Sequence, residues 1–127
     1  GDLMGYQSDV IIAVSKELYV KCQLLGNIPK AIQEIKEVVT TAEVVYWFID
    51  GWKWYDSYPE IQEIEAWFEW CGDEEENPLA FPNDSNFGAI RLGEGESSDR
   101  LDVQTWGSPY AFDLWVSSCI ACPVDHP

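Results

Sequence analysis

Cations run out early in this chain. Its five lysines all lie at or before Lys53, and past that residue only Arg91 and Arg100 carry positive charge. Through Trp54 there are 7 acids and 5 bases, a net of −2; from Tyr55 onward there are 16 acids and 2 bases, a net of −14, and the two add to the −16 of the whole chain. A second half so poor in cations argues against direct nucleic-acid binding, because phosphates are held by lysine and arginine. Segregated charge of one sign repels itself and slightly opposes folding, yet it draws cationic partners from a distance.

Histidine is almost missing too. A Ser-His-Asp or Cys-His nucleophilic site would have to use His126, in a proline-rich end expected to fray. There is no G-x-x-x-x-G-K-[ST] loop, and Gly93-Glu94-Gly95 would repel a phosphate rather than cradle it. The D-x-[DN]-x-[DN]-G pattern of a calcium loop is absent around Glu94 to Asp99. With 23 acids, some carboxylate pair of the glycosidase kind is inevitable and so carries no signal. The chain reads as a non-enzyme, without cofactor or metal. Cysteines are few and mostly isolated: Cys22 and Cys71 stand alone, and only Cys119 and Cys122 form a C-x-x-C. A structural zinc site wants four ligands, commonly as two close pairs, and a thioredoxin-like pair opens a helix, whereas this one closes an apolar run before Pro123. The four are expected to be buried or edge thiols. No apolar run approaches the roughly 18–20 residues that span a bilayer. Gly1-Asp2-Leu3 ahead of Met4 reads as a cloning scar, and the short apolar stretch that follows lacks a basic leader, so the expected location is the cytoplasm.

What is present suits one acidic domain over residues 1–127. Hydrophobic residues make up 46% and tryptophan occurs seven times, enough to bury a core and to set the chain apart from a disordered acidic tail. Val10-Ile11-Ile12-Ala13-Val14 predicts a buried strand. Ser15 is placed to cap a helix with Leu18, Cys22 and Leu25 on one side, interrupted at Gly26-Asn27. Pro29 suits the first turn of a second helix, with Ile32, Ile35 and Val39 as its apolar face. Val44 to Trp54 reads as a long central strand, with Gly51 marking a bulge. Pro59 starts a third helix, where Ile61, Ile64, Phe68 and Cys71 form one stripe, Trp67 and Trp70 widen it, and Gly72 ends it. Beyond an acidic connection, Phe87–Gly93, Leu101–Trp106 and Tyr110–Ala121 all look like strands. The order β-α-α-β-α-β-β-β predicts an α+β fold, a mainly antiparallel sheet with helices packed on one face.

The carboxylates fall in two groups. Glu65, Glu69 and Asp73 are four apart on the third helix, roughly 6 Å from one another, and Glu74, Glu75 and Glu76 extend the row. Glu94, Glu96, Asp99 and Asp102 form the second group, on the hairpin. Like charges at the helical spacing cost a few tenths of a kcal/mol per pair, and no lysine or arginine is interleaved to relieve them. Acidic runs commonly only solvate a face, but solubility asks for a net charge of magnitude about 2–8, well short of the −16 here. A row of carboxylates beside tryptophan can imitate nucleic acid, with carboxylates in place of phosphates and indoles on surfaces that stack on bases. The candidate partner-binding residues are Glu65, Glu69, Asp73, Glu74, Glu75, Glu76, Glu94, Glu96, Asp99 and Trp70. Trp52, Trp54 and Trp70 are expected to be exposed; Trp47, Trp67 and Trp115 are expected in the core.

Phe87-Gly-Ala-Ile-Arg-Leu-Gly-Glu94, with Asp99, Asp102 and the stretch from Phe112 to Ile120, resembles the C-terminal half of small acidic phage-encoded proteins, and Ser8-Asp9-Val10 shortly after Met4 is similar as well. That group includes inhibitors of host defence of the anti-CRISPR and anti-restriction type, several of them DNA mimics. The resemblance implies a phage-type inhibitor acting in the host cytoplasm on the basic groove of a nucleic-acid-binding protein or complex. It carries over no active-site residue. The alternative is an immunity or antitoxin protein that neutralises a basic toxin such as a nuclease, for which the same acidic surface would serve.

Overall fold

The computed structural model describes residues 7–73, 75–77, 86–94, 101–117 and 119–127; the expected scar at residues 1–3 lies outside them. The β-branched run near the N-terminus is the middle of a strand, β1 (Gln7–Ser15). Val10, Ile12 and Val14 on one face and Ile11 and Ala13 on the other are all buried, as a strand covered on both sides requires. It is the central member of a five-stranded antiparallel sheet ordered β2-β3-β1-β4-β5, with β2 Val38–Thr40, β3 Val44–Lys53, β4 Phe87–Glu94 and β5 Leu101–Gly107.

Three helices supply the layer on one face, giving the α+β architecture that the order of elements predicts. Ser15 Oγ accepts a hydrogen bond from the Leu18 N–H at 3.1 Å and starts α1 (Lys16–Leu25), which Gly26 ends with a φ of 67°. Leu18 and Cys22 enter the core, whereas Leu25, on the final residue of the helix, is exposed. The second helix is much shorter than expected: α2 covers only Lys30–Gln33, with Pro29 just before it. Ile32 is buried, but Val39 belongs to β2, where Val38-Val39-Thr40 pairs with β3. β-branched side chains next to an open strand edge favour extension over another helical turn. α3 (Pro59–Gly72) buries Ile61, Ile64, Trp67, Phe68 and Cys71 as its spacing predicts, each large side chain contributing about 1.5–3 kcal/mol of burial.

One extra residue in β3 rearranges the tryptophans. Ser8 lies opposite Trp52 while Val10 lies opposite Ile49, so the longer stretch on β3 bulges, with Gly51 at φ 69° and its N–H donating to Asp9 Oδ1 at 2.9 Å. Before the bulge, Val45, Trp47 and Ile49 face the helices; after it, Trp52 and Trp54 do. Trp54 is therefore only 7% exposed, correcting the expectation that it lies on the surface, and Trp52 is half-buried.

The opposite face is covered without helices of normal length. The expected strand over Tyr110–Ala121 is instead a 3-10 turn (Pro109–Phe112) and a two-stranded ribbon of β6 (Trp115–Val116) and β7 (Ile120–Ala121). Asp113 takes a left-handed φ of 58°, which breaks the extended path and lets Phe112 and Leu114 both sink against Ile11, Ala13, Tyr46, Phe48 and Ile90. Trp115, expected in the core, is 54% exposed on the ribbon. The turn approaches β4 so closely that a Cβ on Gly88 would meet the Pro109 Cα at 2.6 Å, and the Ser108 N–H donates to the Phe87 carbonyl at 2.9 Å.

Candidate partner-binding surface

The carboxylates of α3 divide by what they touch. Glu69 is exposed, and so are Glu60 and Glu63 earlier on the helix. Glu65, grouped with Glu69 by its spacing, is half-buried and accepts the indole N–H of Trp54 at 3.0 Å. It is the acceptor that lets a buried tryptophan satisfy its one donor, a role the sequence does not show because it depends on the β3 bulge turning Trp54 inward.

The helix ends in a tight acidic turn. Asp73 has left helical geometry, with φ −91° and ψ 110°, so it is no longer in the four-residue row with Glu65 and Glu69. Its Oδ1 accepts the Glu75 N–H at 2.9 Å and its carbonyl accepts the Asn77 N–H at 2.8 Å. Asn77 is buried, and its side-chain amide donates to the Cys71 carbonyl at 2.8 Å, capping the helix. This turn holds Glu75 and Glu76 out in solvent beside Asp73 and Glu69. Trp70 is half-buried, with Lys21 Nζ 6.0 Å from its ring centroid. Among the remaining candidates, Glu74, Glu96 and Asp99 lie outside the described residues, as does the side chain of Glu94 at the end of β4.

No basic residue occupies the last turn of α3. The negative end of the helix dipole therefore faces more negative charge, a placement that costs about 0.3–1 kcal/mol per nearby carboxylate at low salt. Among the described residues, the ion pairs within 4 Å are Arg91–Asp102 and His126–Asp50, and neither involves α3. Arg91 is held on three sides: Nε donates to Gln104 Oε1 at 3.1 Å, Nη1 to Ser8 Oγ at 2.8 Å, and Nη2 to Asp102. Asp102, counted with the hairpin acids by sequence, is thus neutralised within the sheet.

His126 is docked rather than frayed. Its ring lies 4.7 Å from that of Phe48, and Nε2 donates to Asp50 Oδ2 at 2.8 Å. Nδ1 meets the Pro127 oxygen at 2.9 Å, so both ring nitrogens face acceptors, an arrangement only the imidazolium satisfies fully. Its pKa is raised, first by the Pro127 oxygen; burial opposes this, and the bond to and charge of Asp50 and the charge of Glu37 add to the rise. Cys22 and Cys71 are buried together in the helix-side core, while Cys119 is exposed and Cys122 half-buried; burial pushes the Cys71 thiol far up. Among the described residues, no three His, Cys, Asp or Glu side chains converge as metal ligands, and no helix is long and apolar enough to cross a membrane.

No protein-family model matches the chain, and neither curated proteins nor solved structures yield a match.

Proposed function

We propose that this chain is a phage-type inhibitor that binds the basic groove of a nucleic-acid-binding host defence complex and excludes the nucleic acid by charge mimicry. The observation that carries this reading is the end of α3, where Glu69, Asp73, Glu75 and Glu76 stand exposed, without a cation among the described ion pairs, at the helix terminus that least favours them. Self-repulsion of this kind weakens the free protein and is relieved when a positively charged partner binds. Steering by a net charge of −16 makes capture fast and salt-sensitive.

The test is affinity capture from a defence-competent bacterial lysate at low and high salt, followed by competition with duplex DNA. The captured complex should be released by the DNA and by salt, and should be lost with Glu69→Lys combined with Glu75→Lys. Asp73 is left intact because its side chain also builds the turn. Capture of one small basic toxin instead would favour an immunity protein. Capture that resists DNA competition and survives both charge reversals would overturn the mimicry.

A further inference from the structure

The second concentration of carboxylates lies away from α3, at an edge of the sheet. β2 pairs with β3 only at Val45, Tyr46 and Trp47, so residues 48–53 of β3 run on without a strand partner on that side. The chain leading into β2 passes alongside, with the Glu37 carbonyl accepting the Phe48 N–H at 2.9 Å. Between them is a cavity of about 390 Å3 lined by Glu34, Ile35, Glu37, Phe48, Asp50 and Trp52, with Ala31 and Lys36 completing the wall. Three carboxylates and one ammonium line it; Asp50 is bonded to His126, and Lys36 forms no ion pair with Glu34, Glu37 or Asp50 within 4 Å. Aromatic and aliphatic walls with carboxylates at the rim are what a flat cation requires, since its face stacks while its edge donates hydrogen bonds.

The molecule supplies an independent indication of what this place accepts. The flat ring of His126 lies against Phe48 and its Nε2 donates to Asp50 Oδ2, so two residues of the cavity wall already hold one planar hydrogen-bond donor. Glu34, Glu37 and Trp52 line the same cavity.

We propose that this groove receives the guanidinium of an arginine from an extended basic segment of a protein partner, seated between Trp52 and the carboxylates of Glu34, Glu37 and Asp50. The proposal rests on the reading of the chain as a binder of basic proteins and adds a specific contact to it. Arginine is preferred to lysine because only a planar fork can stack on an indole and bond two carboxylates at once.

The test is an NMR titration of the full chain with a short capped peptide of alternating glycine and arginine, matched by the lysine version. The arginine peptide should shift the Trp52 indole N–H and the amides of Glu37 and Asp50, and should bind more tightly than the lysine peptide. Glu37→Gln with Asp50→Asn, both exposed positions, should weaken it about tenfold. Glu69→Lys with Glu75→Lys should leave the shifts at Trp52 in place. Equal binding of the two peptides, or shifts confined to α3, would overturn the groove while leaving the α3 reading intact. A groove that binds arginine in a protein whose α3 reversals do not affect target capture would uphold the groove and reject that reading.

Discussion

Two acidic regions of this molecule are treated in opposite ways. Across β4 and β5, Asp102 meets Arg91, which is also tied to Ser8 and Gln104, so charge is cancelled inside a hydrogen-bonded set. At the end of α3, Glu69, Asp73, Glu75 and Glu76 meet no cation within 4 Å among the described residues. A fold that can pair a carboxylate where the sheet needs it, yet leaves a row bare on a helix, separates its structural acids from its available ones. Glu65 shows how fine the division is, since it shares α3 with Glu69 and still belongs to the structural set through Trp54.

The sharpest way to break this comparison is Arg91→Ala. It strands Ser8, Gln104 and Asp102 at once, and urea denaturation should show a loss of about 2–3 kcal/mol. A change near zero would mean the pairing does not hold β4 to β5. Next comes Glu65→Ala, which leaves the buried Trp54 N–H without its acceptor and should cost about 1–2 kcal/mol, with a shift in tryptophan emission. The contrast depends on Glu69→Gln and Glu75→Gln behaving differently: each should leave stability unchanged or raise it by about 0.3–1 kcal/mol at low salt while weakening capture of the target. Destabilisation by these two would place them with Glu65 and remove the distinction.

The smallest effect concerns His126. Its pKa in the folded protein is raised above 6.5, so its pairing contributes fully below that value and is lost as pH climbs through the raised one. Proton NMR of the imidazole should give a midpoint above 6.5, moving down in Asp50→Asn. A midpoint at or below 6.5 in the wild type would show the ring undocked in solution.

Much of the fold was legible in the residues. The run from Val10 to Val14, the Ser15 cap, the Gly51 bulge and the α3 stripe each depend on local spacing or on a residue with one strong conformational use. The errors came where a distant partner decides. Ile32, Ile35 and Val39 have apolar spacing compatible with a helix, and only the free edge of β3 makes Val38–Thr40 a strand. The stretch from Tyr110 to Ala121 is apolar enough for one long strand, but its docking on the sheet face is broken by the 3-10 turn and by Asp113. The candidate surface was half visible. Exposure of Glu69 follows from its place beside the α3 stripe, and that of Glu75 and Glu76 from the polar run after Gly72. The burial of Trp54, and with it the commitment of Glu65, needs the strand pairing to be known. The groove by β3 gave no sequence signal, because Glu34, Glu37, Asp50 and Trp52 are brought together only by the way β2 stops short.

A strand sorts its side chains by parity, odd to one surface and even to the other. The insertion at Gly51 reverses that parity partway along β3. A one-residue deletion there would therefore not simply shorten the chain. It would swing two indoles out from under the helices, leave Glu65 with nothing to hold, and take Trp52 from the wall of the neighbouring groove, all without altering a single carboxylate.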